Sequence, residues 1–436
     1  MHHKAKTFKT SFPADIFASL VVFLIAVPLS LGIALASGMP AVSAIVSAVV
    51  GGIVVGMISG APLVVTGPAA GLSAMILQLA QSYGTAGVFK IAILAGVIQI
   101  LLSIAQSARL ILRMPKTVVE GVLTAIGTVI VLGQFHILMG QKIPGGALVN
   151  IARLPSAVEN LTAVGPNPVS PVAFGIGLLT LAVLLSWKKI AAKLAWLPAA
   201  LPAVIIATLA ALSFAVPRMT LDPILPHVQG TLAQVFSGAY WSDLMMLIGP
   251  AFGLAIVASA ESLLTARSLD VLMSKRHIPI KMKINVELMA QGVGNVIAGV
   301  LGGIPVTGVM VRSAANLDAG ATSRRSSIMH GVWILLFVLA APQILAKIPL
   351  AALAAVLIVT GIKLISLPHM IHAVRENPRE AWVWPATAVA IISTDLLKGL
   401  GIGIGAWAVM AGTGYLIKKY VPRPEESQVL ETNEVK

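Results

Sequence analysis

The chain contains no cysteine, so a disulfide framework, thiolate chemistry and cysteine-ligated metal sites are all excluded. It is also poor in charge. Only 11% of its residues are Asp, Glu, Lys or Arg, against about 25% in a soluble globular domain. Hydrophobic residues make up 57% and the mean hydropathy is +0.94. That balance suits lipid rather than water, and 436 residues leave room for many helical crossings of about 20 residues each but for no large soluble domain. The first apolar run lacks a small-residue cleavage site and flows into a second, so it is read as a first membrane helix and not as a signal peptide. The formal charge of +14 comes from small basic clusters between apolar runs. Such clusters are topology signals, and nucleic acid is not expected as a partner.

Apolar runs bounded by Gly, Pro or charge fall at about 14–38, 41–60, 62–82, 88–105, 117–139, 171–187, 195–215, 245–266, 284–301, 304–317, 326–343, 349–366, 381–397 and 400–417. This predicts an all-α integral membrane protein of fourteen spans. The positive-inside rule tests the count independently. With the N-terminus in the cytoplasm, 23 of the 30 Lys and Arg residues fall on cytoplasmic segments, six lie outside, and Arg312 alone lies within a span. The expected layout is a cytoplasmic segment 1–12, a transporter domain 13–418 and a cytoplasmic tail 419–436 in a cell inner membrane.

Secondary transporters are often inverted repeats whose site is built from interrupted helices in corresponding positions. Seven plus seven, as repeats of about 13–215 and 245–418, sets span 3 against span 10. Each opens with a β-favouring stretch, Pro62 to Thr66 and Ile304 to Thr307, then Gly and a run of small residues. The patterns are Val-Thr-Gly-Pro and Val-Thr-Gly-Val. Extended backbone in lipid must pair or hide inside protein, so two short strands are expected to meet near the midplane. The half-helices behind them then point their N-termini, with unpaired N–H groups and partial positive charge, at a small anion. The residues placed there are Thr66, Gly67, Pro68, Ala69, Thr307, Gly308 and Val309, with Arg312 about one turn further on.

At these positions the sequence resembles the sulfate permease (SulP) anion transporter family, from about Pro13 to Leu416. The most specific stretch runs Asn285-Val286-Glu287-Leu288-Met289-Ala290-Gln291-Gly292-Val293-Gly294-Asn295, then Gly302-Gly303-Ile304-Pro305-Val306-Thr307-Gly308 and Arg312-Ser313. It looks like the family's N-x-E-L-x-A-Q-G-x-x-N and G-G-x-P-x-x-G…R-[ST] pattern. Val65-Thr66-Gly67-Pro68 is similar to the S-V-G-P element, and Pro28 with Gly38-Met39-Pro40 matches the first span and turn. The resemblance implies a core-and-gate fold, elevator-like motion and a homodimer. Two departures stand out. A glutamine that follows the span 1 proline in many sulfate carriers is Leu29 here, and the run from Ala26 to Gly38 looks more like bicarbonate-type members, some linked to a carbonic anhydrase. The usual C-terminal STAS domain is missing, since about twenty residues follow the last run.

Intramembrane charge is costly and marks a cavity or a partner. Glu261, with Thr265 one turn on, resembles the acidic coupling residue of span 8 in the family. With Thr265 and Thr307 it would supply oxygens for sodium, a hard cation, while a desolvated carboxyl would serve a proton. Arg312 is read as strengthening the anion's field, or as a structural partner of Glu261 or a carbonyl. Glu287 and Asn285 are read as helix-end structure, Glu120 with Lys116 as a helix-end ion pair, and Gln134, His136 and His330 as packing or hydrogen-bonded residues. Gly401 to Gly405 reads as close helix packing. No enzyme constellation, cofactor, metal cluster or ATP site is expected, and a bound sodium is the one ion implied. The reading is a secondary transporter of a small inorganic anion, bicarbonate with sodium or protons. The alternatives are sulfate or dicarboxylate symport, a nucleobase carrier, or an uncoupled channel or exchanger.

Overall fold

The structure is a computed structural model describing residues 10–112, 115–144, 146–159, 171–191, 197–237, 241–242, 244–365, 381–394 and 396–420. Most of residues 1–12 and of the tail 419–436, with basic residues such as Lys4, Lys193 and Arg375, lie outside these. So does the side chain of Lys116, and with it the expected pair with Glu120. The described residues fall into two compact units, one from Met1–Arg113 and Ile126–Leu364, the other from Met114–Ala125 and Ile365–Lys436.

The first unit begins with α1 (Phe12–Ala36). Ser11 caps it through a hydrogen bond from the Ala14 N–H to its hydroxyl (3.4 Å). It ends where Gly38 takes a positive φ of 62°, with Gly38 N–H donating to Leu35 and Met39 N–H to Ala34 (3.2 and 3.0 Å). This glycine-ended cap satisfies the last carbonyls, and Pro40 prevents the helix from resuming. α2 (Ala41–Val50) runs into a π turn, Gly51–Val55, and a last helical turn, Gly56–Ile58. A Cβ at Gly51 would sit 2.5 Å from the Thr66 carbonyl oxygen, so the backbone behind the site comes closer to this bulge than any side chain permits.

Strand β1 (Thr66–Pro68) leads into α3 (Ala70–Ile104), whose single irregular residue is Gly84 (φ 70°, ψ 176°). The following helices are α4 (Lys116–Leu138), α5 (Pro171–Ile190), α6 (Ala200–Ala211), α7 (Ile224–Val235), α8 (Leu244–Lys275) and α9 (Ile284–Val300). Strand β2 (Val306–Gly308), α10 (Met310–Asp318), α11 (Arg325–Ala340) and α12 (Leu350–Leu364) complete the first unit. α13 (Val383–Ser393) and α14 (Leu396–Tyr420) belong to the second, as does α4 up to Ala125.

Several sequence expectations need correction. The strands begin later than Pro62 and Ile304, at Thr66 and Val306, because the residues before them are tied by side chains rather than by each other. Spans 3 and 4 are joined through Gly84 and not by a loop from 83 to 87. Span 8 extends nine residues past 266 to Lys275. Short helices also occupy Ala147–Ala152, Leu154–Glu159 and Ile224–Val235, where no regular structure was expected. Among the described residues five helices are long and apolar enough to cross a membrane, and shorter apolar helices make up most of the other runs. α10, at nine residues, rises only about 14 Å, roughly half of a 30 Å hydrocarbon core.

α3 and α9 pack closely. A Cβ at Gly96 would lie 2.5 Å from the Gly292 carbonyl oxygen, and one at Gly299 would lie 2.6 Å from that of Phe89. Small residues let two helices touch backbone to backbone, and this contact fixes α9 beside the site. Large apolar side chains such as Leu185, Met245 and Val409 remain exposed, as lipid-facing surfaces require. Of the 401–405 glycines, Gly403 packs against Thr387, while Gly401 and Gly405 face open space.

Candidate functional site

The two Val-Thr-Gly elements meet. β1 and β2 pair antiparallel with Thr66 opposite Gly308, Gly67 opposite Thr307 and Pro68 opposite Val306. The register is self-complementary, since each threonine faces the other element's glycine. Val309 N–H extends the ribbon by donating to Val65 O (2.9 Å). β-branched residues favour the extended stretch, and Pro68, which has no N–H to offer, ends it.

Side chains from other helices satisfy the irregular backbone before β1. Asn316 donates to Leu63 O (3.1 Å), Ser327 to Val64 O (2.9 Å), and the Val65 N–H donates to Ser313 (2.9 Å). On the other strand Asn295 grips Val306 at both ends, accepting from its N–H (2.7 Å) and donating to its carbonyl (3.1 Å). The same amide reaches Gln99, which donates to Ser259 on α8 (3.1 Å). Gln291 donates to Thr66 and to Glu287 (2.9 and 2.8 Å). Glu287, fully buried, accepts from Ser59 (2.5 Å) and the Ala61 N–H (3.1 Å). It therefore holds the turn after α2 as well as its own helix end. Asn285 braces another corner, accepting from Ala108 N–H (3.2 Å) and bonding Gln106. This lattice lets extended backbone exist within a membrane span, where each unpaired group costs several kcal/mol. Asn295→Ala is expected to leave two buried backbone groups of Val306 unpaired and to destabilise the protein by about 3 kcal/mol. A lowered unfolding temperature of the detergent-purified protein would show it, and an unchanged one would refute the clamp.

Behind the ribbon stand two helix N-termini. Ala69 and Val309 precede α3 and α10 in extended conformation, and neither helix start carries a side-chain cap, so first-turn N–H groups remain available to a ligand. Arg312, fully buried on the first turn of α10, donates from Nη2 to Ser30 (3.0 Å), while its Nε and Nη1 have no partner. Its Nη1 lies against Gly67, at a place where any Cβ would collide. Glu261 comes from the middle of α8. Its Oε1 would lie 2.5 Å from a Cβ at Gly71, so the carboxyl rests on the first turn of α3, and its Oε2 is unpartnered. The Thr307 hydroxyl lies beside this carboxyl without a fully formed hydrogen bond. Thr265 is buried one turn along α8, and Ser262 accepts from the Gly308 N–H (3.1 Å).

All the sequence-predicted residues thus gather around one ribbon: Thr66, Gly67, Pro68, Ala69, Thr307, Gly308, Val309, Arg312 and Glu261, with Thr265 next to the last on its helix. Arg312 and Glu261 form no ion pair with each other; Arg276 pairs with Asp318 (2.6 Å) at the surface. The amides Gln99, Gln291 and Asn295 and the serines 30, 262 and 313 were not singled out. The last two amides lie in the quoted motif at helical spacing i and i+4, which was their available signal. His136 is hydrogen-bonded as expected, its Nε2 to Asn150 O (3.1 Å), and His330 meets Ser327 O. Gln134 is fully buried, with neither amide atom hydrogen-bonded. No group of three or more metal-ligating residues occurs among the described residues.

Residues 12–387 match the sulfate permease family. A putative sulfate transporter, YvdB, of Bacillus subtilis is 26% identical over 90% of this chain and 72% of its own. The bicarbonate transporter BicA of Synechocystis sp. is 27% identical over 89% and 68%. Among solved structures, the transmembrane domain of a cyanobacterial BicA superposes with a TM-score of 0.77 at 24% identity, covering 89% of this chain and 97% of that one. The inward-facing murine Slc26a9 anion transporter gives 0.74 at 18%, covering 94% and 70%. At those identities the two structures speak for the fold.

Proposed function

The chain belongs to the sulfate permease family of membrane anion transporters, and from that premise we propose that it takes up bicarbonate by secondary active transport, with sodium as the coupling ion. The observation that carries this reading is a buried arginine with two unpartnered nitrogens beside two uncapped helix N-termini, next to a carboxyl with a free oxygen. Two partial positive helix ends and a guanidinium suit a small anion. The carboxyl, Thr265 and Thr307 supply hard oxygen ligands for sodium, or a proton acceptor if protons drive the carrier. Thr66, Gly67, Pro68, Ala69, Gly308 and Val309 would line the anion site.

In the proposed elevator mechanism the ribbon with its two half-helices moves as one body, because its backbone is tied to α8, α9 and α11 by side-chain hydrogen bonds. The inverted repeat of fourteen spans, a homodimer, an inner membrane with cytoplasmic termini, and a functional link to a carbonic anhydrase belong to the same reading. Bicarbonate is preferred because Leu29 replaces the glutamine of many sulfate carriers, and because BicA relatives align over most of the chain. Sulfate is the second reading, favoured by the relative named a putative sulfate transporter.

Labelled bicarbonate uptake into proteoliposomes, with and without an inward sodium gradient at fixed pH, tests the proposal. Sodium-stimulated accumulation is expected. Accumulation indifferent to sodium would overturn the coupling ion, and entry of labelled sulfate alone would overturn the substrate.

A further inference from the structure

The side chain that holds Arg312 comes from a different helix. Ser30, fully buried on α1, accepts from Arg312 Nη2 (3.0 Å) across 282 residues of chain. A hydroxyl in the middle of a helix commonly returns to the carbonyl four residues back, as those of Ser259 and Ser262 do on α8 (2.5 and 2.8 Å). Ser30 makes no such bond among the described residues, so its own helix does not claim it. Nor does any other hydrogen bond among the described residues hold the guanidinium, whose Nε and Nη1 are unpartnered. His330 of α11 stands within electrostatic reach of it, but the Nε2 of that ring is unpartnered too. Ser30 is therefore the anchor of the buried cation.

A guanidinium meets an oxyanion best along an edge, where two parallel N–H bonds reach two oxygens. It has two such edges, one made by Nε and Nη2 and the other by Nη1 and Nη2. Nη2 belongs to both. By taking one of the two Nη2 hydrogens, Ser30 occupies one edge, leaves the other whole and fixes the plane of the group. Nη1 then stands at Gly67, where the absence of a Cβ makes room for it. We propose that Ser30 is a positioning residue for the transported anion: it holds Arg312 so that one complete edge meets two oxygens on a single central atom, an arrangement that bicarbonate and sulfate share. The proposal rests on the reading of Arg312 as part of the anion site.

The test is initial uptake of labelled bicarbonate, with labelled sulfate as a second arm, by proteoliposomes of the full chain. Ser30→Ala is expected to raise the KM of the transported anion about tenfold with little change in maximal rate. Ser30→Thr, which keeps the hydroxyl, is expected to stay near wild type. Ser30→Cys, similar in shape but a weaker acceptor, serves if the alanine variant does not insert. Arg312→Lys supplies the control background: an ammonium has no edge to present, so Ser30→Ala is expected to add no further rise in KM there. Such non-additivity marks two residues that act as one. An unchanged KM in Ser30→Ala, or an equal rise in both backgrounds, would overturn the positioning role and leave the carrier reading standing. If the wild type takes up sulfate alone, the same rise in the sulfate KM supports the positioning role while bicarbonate is overturned. Uptake of neither anion overturns both.

Discussion

Replacing Arg312 by leucine is expected to reduce anion uptake by about a hundredfold while the protein still inserts and folds. The guanidinium is fully buried, and one of its five N–H donors is committed, to Ser30. Its Nη1 and Nε have no protein partner, and Nη1 stands at Gly67 between the two strands' helices. An unpaired cation within a membrane span is costly, so a structural role would have given it a carboxylate or carbonyls; the carboxyl of Glu261, from α8, rests instead against the first turn of α3. Removing one partner of a desolvated charge pair costs about 2–5 kcal/mol, and a hundredfold, about 2.7 kcal/mol, lies in the lower part of that range. Arg312→Lys is expected to recover part of the uptake, because an ammonium restores the charge without the planar fork of donors. The measurement is initial uptake of labelled anion beside the unfolding temperature of the same preparations. Wild-type uptake in the leucine variant would remove Arg312 from the site, and a collapsed unfolding temperature would make it structural.

Glu261→Gln is expected to abolish concentrative uptake and to leave, at most, equilibration down the anion's own gradient. The exchange keeps the shape of the side chain and removes the charge. The carboxyl rests against Gly71, where no side chain intervenes between it and the N-terminal turn of α3, and Thr307 of β2 lies beside it. It therefore touches both halves of the proposed anion site. A cation or proton held there offsets a negative charge that would otherwise compete with the anion for the same field, which couples the two by ordinary linkage. Accumulation ratios under a sodium gradient and under a pH gradient, each imposed separately, would identify the coupling ion in the wild type. Retention of concentrative uptake by the variant would dismiss Glu261 as the coupling group.

The class of the protein was legible in the chain because it depends on local quantities. Lack of charge and long apolar runs demand lipid, and basic residues mark the cytoplasmic side whatever the packing. The two Val-Thr-Gly elements were legible as well. β-branched residues followed by Gly and small residues interrupt a helix wherever they occur, and a single arginine inside an apolar run is conspicuous. Glu261 and Thr265 could be joined on one helix face by spacing alone.

Other features depended on closure of the fold. Pro62 to Val65 has the composition of a strand, yet pairing starts only at Thr66, because Asn316, Ser327 and Ser313 claim the preceding backbone from 248 or more residues away. Asn295 and Gln291 are two amides in a motif until α9 seats against α3 at Gly96 and Gly292 and carries them to Val306 and Thr66. Gln134 reads as an ordinary polar residue near a helix end, and only its neighbours determine that its amide has no partner. Composition and periodicity sum over residues near in sequence, so they determine the solvent the chain requires, where its helices break and which residues are chemically unusual. Hydrogen-bond satisfaction is a property of pairs distant in sequence, and the tertiary structure alone decided which of those residues are satisfied by protein and which remain free for a ligand.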